Sequence, residues 1–218
     1  MTGAIFSDVE GTLVDGSLPM LFLQTAKRLK AYSLAQSISI RLLALVAKVL
    51  PAKLRRQSQL ISLLISVSGR SREQADKVIE ATIPEIIKAL KPTVIARVKS
   101  LKENGLPLVL VSGGMHEAIE RLGIELEARG EGTKIKMRDG KYKMGLDGGI
   151  CQGKGKADRA NAVLQEMGYD PAQSYAFGDT ASDIPFLSLF GHPCAVDPDP
   201  LLEAEAKKQG WPIIRTKA

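Results

Sequence analysis

Two short carboxylate motifs stand at opposite ends of the chain. Asp8 and Glu10 lie in Phe6-Ser7-Asp8-Val9-Glu10-Gly11-Thr12-Leu13, and Asp179 and Asp183 lie in Phe177-Gly178-Asp179-Thr180-Ala181-Ser182-Asp183. Each follows a short apolar run that reads as a buried strand. Carboxylates just past buried strands lose hydration and repel one another, but they suit a divalent cation. Residues two apart on an extended segment point the same way. Asp8 and Glu10 can therefore flank one reacting group, one as nucleophile and the other as general acid and base. Ser112, followed by Gly113 and Gly114, offers a hydroxyl and free backbone N–H groups at a helix start, which make an anion cradle. Lys156, in Gly153-Lys154-Gly155-Lys156, can neutralise a phosphoryl oxygen. Asp179 and Asp183 complete a metal site, and oxygen ligands without histidine favour Mg²⁺ over zinc. A metal, a carboxylate nucleophile, a hydroxyl, backbone amides and a lysine together suit phosphoryl transfer.

The elements that must position these residues fall into two stretches. Residues 16–92 read as an all-helical insert. Helices are expected over Leu21–Lys30, Ser39–Leu50, Lys53–Val67 and from Ser71 to about Leu90, with Pro51 as a stop and Ser71-Arg72-Glu73-Gln74 as a start signal. The rest alternates. A helix over Thr93–Asn104 closes at Gly105, and a strand over Pro107–Val111 ends in Ser112-Gly113-Gly114. A helix over His116–Leu122 closes at Gly123, and a short strand is expected over Ile124–Arg129. Asp139-Gly140 marks a hairpin, and a helix from Lys156 to Met167 ends at Gly168. This rhythm predicts an α/β protein: a parallel-sheet, Rossmann-like core (1–15 and 93–218) with helices on both faces and an inserted all-helical cap (16–92). In such sheets ligands bind outside the carboxyl ends of the strands, so the two carboxylate motifs are expected to meet around one ion.

Composition narrows the classes. A hydrophobic fraction of 44% over 218 residues supports a packed core and excludes global disorder. Two cysteines exclude a disulfide framework and point to a reducing compartment. Neither a signal peptide nor a spanning segment is read, so a cytoplasmic protein is expected. The net charge of +6 is unevenly spread: Gly16 to Arg72 holds ten Lys and Arg and no Asp or Glu. The acid-free insert is read as a solvated cap, as a field that draws in anionic substrates, or as a contact with anionic lipid through apolar helices flanked by Lys27, Arg28, Lys30, Lys53, Arg55 and Arg56. Nucleic-acid binding is not expected, since aromatic residues are few and no stacking motif is seen.

The four motifs, in this order, closely resemble those of the haloacid dehalogenase superfamily of phosphotransferases, over nearly the whole chain. The first, Asp-x-Asp-Gly-Thr/Val, is matched by Asp8-Val9-Glu10-Gly11-Thr12. The second is matched by Ser112, the third by Lys156, and the fourth by Gly178-Asp179 with Asp183. A helical cap between the first two motifs resembles the phosphoserine-phosphatase-like branch. The resemblance implies an Mg²⁺-dependent phosphomonoester hydrolase acting on a small phosphorylated substrate through an aspartyl-phosphate on Asp8. It implies a metal held by Asp8, the main-chain carbonyl of Glu10 and Asp179, with Asp183 supporting the metal's water shell or Lys156. Ser112, the N–H of Gly113 and Lys156 would hold phosphoryl oxygens. One departure stands out. Glu10 occupies a position where the family's phosphatases usually carry Asp, and its extra methylene moves the proton donor by about 1 Å, a misplacement that can cost on the order of 100-fold in rate. The alternatives are a catalytically weak phosphate-binding or membrane- or partner-binding protein with a degenerate site, and a phosphotransferase.

Overall fold

The computed structural model describes residues 2–49 and 52–216, the side chains of residues 52–56 excepted. Its centre is a six-stranded parallel sheet of order β3-β2-β1-β6-β7-β8. The strands are β1 (Ile5–Ser7), β2 (Leu108–Met115), β3 (Ala128–Thr133), β6 (Tyr175–Gly178), β7 (His192–Val196) and β8 (Ile213–Ile214). Between them in sequence, β4 (Ile135–Arg138) and β5 (Lys141–Leu146) form a separate antiparallel hairpin. Its turn places Asp139 and Gly140 at φ 53° and 69°, the left-handed pair that a two-residue Asp-Gly turn requires.

The chain winds outward from β1 in both directions: β2 and β3 lie on one side, and β6, β7 and β8 on the other. The crevice at the carboxyl ends of β1 and β6 is therefore the topological switch point, where open α/β sheets bind ligands. Alternation along β1 sends Ile5 into one core and Phe6 into the other. On the first face pack α5 (Pro92–Glu103) and α6 (His116–Glu125). On the second pack α7 (Lys154–Met167), α8 (Ile184–Leu187) and α9 (Pro200–Gln209).

Four further helices lie between β1 and α5: α1 (Leu18–Arg28), α2 (Leu34–Ala47), α3 (Ala52–Val67) and α4 (Arg72–Lys88). Both α2 and α4 begin with a capping box, Ser33 with Gln36 and Ser71 with Gln74. The chain leaves and re-enters the sheet layer through a narrow stem, in which the Asp15 N–H donates to the Ala89 carbonyl and the Lys91 N–H to the Leu13 carbonyl (2.8 Å each). The β4–β5 hairpin is tied to these helices, since Tyr142 exchanges backbone hydrogen bonds with Gly69 and Arg70. No described helix is long and apolar enough to cross a membrane. The expected stop at Pro51 and the side chains of Lys53, Arg55 and Arg56 lie outside the described residues.

Two local expectations are corrected. The helix expected to close at Gly123 runs on to Glu125, and the strand expected at Ile124–Arg129 begins at Ala128. Gly123 is needed for a different reason: a Cβ there would meet the Ala128 carbonyl oxygen at 2.6 Å. The strand expected to end before Ser112 continues through Ser112, Gly113 and Gly114 to Met115.

Candidate active site

Asp8 follows β1 and Asp179 follows β6, and the two strands are adjacent and in register, with Ser7 opposite Phe177. The Asp8 N–H donates to the Phe177 carbonyl (2.9 Å). Residues far apart in sequence thus become neighbours at one sheet edge. Carboxylate oxygens of Asp8, Asp179 and Asp183 all lie within 4.8 Å of one another. The Lys156 ammonium stands between two of them, 2.7 Å from Asp8 Oδ1 and hydrogen-bonded to Asp183 Oδ1. Three carboxylates against one ammonium leave two negative charges, which a divalent cation would balance. An oxygen-only donor set of this kind fits a hard cation such as Mg²⁺.

Each member is held by its surroundings. Thr12 donates its hydroxyl to Asp8 Oδ2 (3.1 Å), so both oxygens of Asp8 are engaged. Asp183 Oδ2 accepts the N–H groups of Asp179 (3.3 Å) and Thr180 (3.2 Å) and the Thr180 hydroxyl (3.2 Å). It holds the loop that carries Asp179 while its other oxygen orients Lys156. Asp199 fastens the same loop, accepting from the Ala181 N–H (3.0 Å) while capping α9 through the Leu202 N–H (2.8 Å). Two motif glycines have a steric reason. A Cβ on Gly11 (φ 75°) would overlap the Asp179 carboxylate, and one on Gly178 would lie 2.8 Å from the Asp183 Cβ.

Burial sets the electrostatics. It pushes the Asp8 carboxyl up, against the pull of Lys156. Lys156 is itself penalised by burial, but the charges of Asp8 and Asp183 outweigh this and hold it firmly protonated. Burial, with the Asp8 charge adding to it, pushes Glu10 up to about 7. The Glu10 carboxylate stands apart from the three-aspartate group and accepts from the Leu18 N–H (3.1 Å) at the start of α1. It is thus fixed at the junction of sheet and helices, and it carries a proton near neutrality. The metal role expected of residue 10 rests on its main-chain carbonyl.

These groups open into a cavity of about 460 Å³. Asp8, Glu10, Gly113, Lys156, Asp179 and Asp183 line it from the sheet side. Ser17 and Pro19 reach it from the start of α1, and Gln59, Leu60 and Leu63 from α3. Ser112, expected to hold a phosphoryl oxygen, does not line it. Its side chain is fully buried and its Oγ accepts from the Gly114 N–H (3.1 Å). Gly113, the next residue of β2, borders the cavity. Lys154 lies at the surface and pairs with Asp158 (3.0 Å).

Two supporting residues were given no site role from the sequence. Lys91, only 6% exposed, donates to the Gly11 carbonyl and to Asp197 Oδ2 (2.7 Å), tying the first motif to the C-terminal part of the chain. Thr133 donates to the Gly113 carbonyl (2.9 Å) and accepts from the Cys151 N–H (3.0 Å), stapling the end of β2 to the loop before α7. A lysine before a proline and a threonine at a strand end carry no distinctive spacing. The run Asp197-Pro198-Asp199-Pro200 was the one available signal, as a rigid turn bearing two acids.

Residues 5–188 match the model of the haloacid dehalogenase-like hydrolase family. A Mycobacterium tuberculosis (strain ATCC 25618 / H37Rv) protein named as a probable phosphatase is 31% identical over 152 residues, 67% of this chain and 52% of the relative. The chain therefore spans about half the length of that relative. A protein of unknown function from Bordetella pertussis Tohama I superposes with a TM-score of 0.80 at 20% identity, over 100% of both chains. A phosphoserine phosphatase solved as a phospho-aspartyl intermediate analogue superposes with a TM-score of 0.66 at 20% identity, over 99% of this chain and 94% of its own. These two structures share the fold.

Proposed function

The chain belongs to the haloacid dehalogenase-like hydrolase family, and from that premise we propose that it is a phosphomonoester hydrolase acting through Asp8. The observation that carries this reading is the convergence of Asp8, Asp179 and Asp183 on one point with Lys156 between them. The relative named as a phosphatase supports the same class of reaction.

Asp8, the main-chain carbonyl of Glu10 and Asp179 would hold Mg²⁺. Bound there, the ion would neutralise charge on the phosphoryl oxygens. Lys156 and the Gly113 N–H take the remaining phosphoryl oxygens. An Asp8 carboxylate oxygen forms a bond to phosphorus as the ester P–O bond breaks, and the proton on Glu10 passes to the departing alkoxide, which leaves as an alcohol. Glu10, now anionic, takes a proton from water. The water oxygen attacks phosphorus, the Asp8–phosphorus bond breaks, and inorganic phosphate leaves with Asp8 and Glu10 restored. Residues 16–92 serve as the cap over this cavity, with α1 and α3 shaping the space around the leaving group.

The test is turnover of a simple phosphomonoester such as p-nitrophenyl phosphate in Mg²⁺. Activity in the parent and its loss in Asp8→Asn is the expected outcome. Equal turnover by the two would end the reading.

A second reading concerns a partner and rests on α2. This helix buries none of its residues; its first residue, Leu34, is 79% exposed, and Val49 just beyond its end is 83% exposed. Leu42, Leu45 and Val46 join them on one face. With the acid-free charge of the segment, this face suits an anionic lipid surface. Sedimentation with phosphatidylglycerol vesicles but not with phosphatidylcholine vesicles is expected, and a Leu42→Glu, Leu45→Glu double variant should stay in solution. Equal sedimentation of parent and variant would exclude this face.

A further inference from the structure

A second cavity, of about 550 Å³, opens between α1, α2 and α3. Its walls are mainly apolar: Met20 and Leu23 from α1, and Ile40, Ala44 and Ala47 from α2. On α3, Ser58 and Ser62 turn their small side chains toward it, and the Ser62 hydroxyl is already committed to the Ser58 carbonyl (2.8 Å). The small side chains of Ser58 and Ser62 leave that side of the cavity wide. The cavity is not isolated. Gln59 lines both it and the cavity that contains Asp8, and the first turn of α1 borders both, with Pro19 facing one and Met20 the other. The two spaces therefore adjoin, sharing Gln59 and the first turn of α1 as walls.

We propose that this second cavity receives the hydrocarbon tail of the substrate, so that the phosphomonoester hydrolysed at Asp8 is an amphiphile. The inference rests on the phosphatase reading for its polar end and on the second cavity for the rest. Charge supports it. Lys27, Arg41 and Lys48 also line this space, and no acidic residue occurs between Gly16 and Arg72. A substrate with an ammonium group would find no carboxylate on α1, α2 or α3. A molecule with an anionic head and an uncharged tail meets complementary surfaces at both ends. Sequence spacing fits as well. The pocket residues of α2, namely Ile40, Ala44 and Ala47, recur at three- and four-residue intervals and form one face. Leu42, Leu45 and Val49 form a different face, which is left exposed.

The test is a series of n-alkyl phosphates from ethyl to decyl, each below its critical micelle concentration. The expected result is a rise in kcat/KM of about two- to fourfold per added methylene until the cavity is filled. The same trend should appear without turnover, as tighter binding of decyl than of ethyl phosphate to the Asp8→Asn variant by calorimetry. Ala44→Trp, on an exposed helix, should plug the space and flatten the series, and Ala47→Phe gives a second plug should the first misfold. A flat series with brisk ethyl phosphate turnover would overturn the tail site and leave the phosphatase reading standing. Chain-dependent binding with no turnover of any ester would uphold the tail site and remove the phosphatase reading. Decyltrimethylammonium, with the same tail and the opposite charge, should bind far more weakly. Binding equal to that of decyl phosphate would overturn the proposed orientation. Short-chain phosphatidate as monomers and long-chain phosphatidate in vesicles distinguish the source, and turnover of either upholds the amphiphile.

Discussion

Asp8 has both carboxylate oxygens spoken for, by Lys156 and by Thr12. A nucleophile held at two points gives up rotational freedom before the reaction begins, and this is how a fixed geometry lowers a barrier. Glu10 is the departure from the family pattern, and the fold accommodates its longer reach by anchoring the carboxylate on the Leu18 N–H. Held there, with burial raising its carboxyl to about 7, it would serve the proposed reaction as acid and then base. Glu10→Gln should reduce kcat by about 100-fold or more, the scale of a lost acid–base group, whereas Glu10→Asp should retain most of it. Steady-state kinetics on both variants checks this, and equal rates would assign Glu10 another task. A divalent cation should relieve the repulsion among Asp8, Asp179 and Asp183. Mg²⁺ is therefore expected to raise the melting temperature of the parent and to leave that of Asp179→Asn nearly unmoved, as read by differential scanning fluorimetry.

At the scale of elements, glycines decide how closely layers approach. A Cβ on Gly130 of β3 would fall on the backbone of Ile119 and Glu120, and one on Gly132 on the backbone of His116. The helix α6 therefore lies directly on the backbone of β3, which holds the end of β2, and with it Gly113, beside the cavity. Gly130→Ala should force the two apart and destabilise the protein by about 1–3 kcal/mol. Gly149→Ala, where a Cβ meets nothing within 4 Å, should be near neutral. Urea midpoints for the two variants give the comparison. The element α2 shows the opposite condition. Its capping box and apolar residues make it a helix, but little of the protein covers it, and its stability depends on α3 and on whatever occupies its open faces.

At the scale of the whole molecule, a half-buried ion pair joins distant parts. Lys91, at the return of the helical segment to the sheet layer, holds the Gly11 carbonyl and Asp197 together. Burial alone would raise the Asp197 carboxyl, but hydrogen bonds from Lys91 and from the Thr216 hydroxyl and N–H outweigh it and hold the group at about 2. Its folded value is thus depressed below the ordinary 3.8. The stability it contributes is present above that ordinary value and is lost as pH falls toward about 2. Asp197→Asn should cost about 3 kcal/mol at neutral pH by stranding the buried ammonium. It should also remove the steep loss of stability that the parent shows between about pH 4 and 2, as read by urea denaturation at each pH.

The order of the four motifs, the alternation of strands and helices, and the helical character of the described residues between β1 and α5 were legible in the chain itself. They depend on local periodicity, on turn residues and on residue types with few other uses: Asp139-Gly140 makes a hairpin wherever it falls, and Ser71 with Gln74 starts a helix by its own hydrogen bonds. Tertiary packing decided what spacing cannot encode. It made β1 and β6 neighbours, so that Asp8, Asp179 and Asp183 share one point. It ran β2 past Ser112 to Met115 and buried the Ser112 side chain. It recruited Thr12, Thr133 and Lys91 as supports, and it left an apolar space beside the phosphoryl site. Each of these is a contact between segments distant in sequence, set by which surfaces the sheet order brings together and not by the residues on either side.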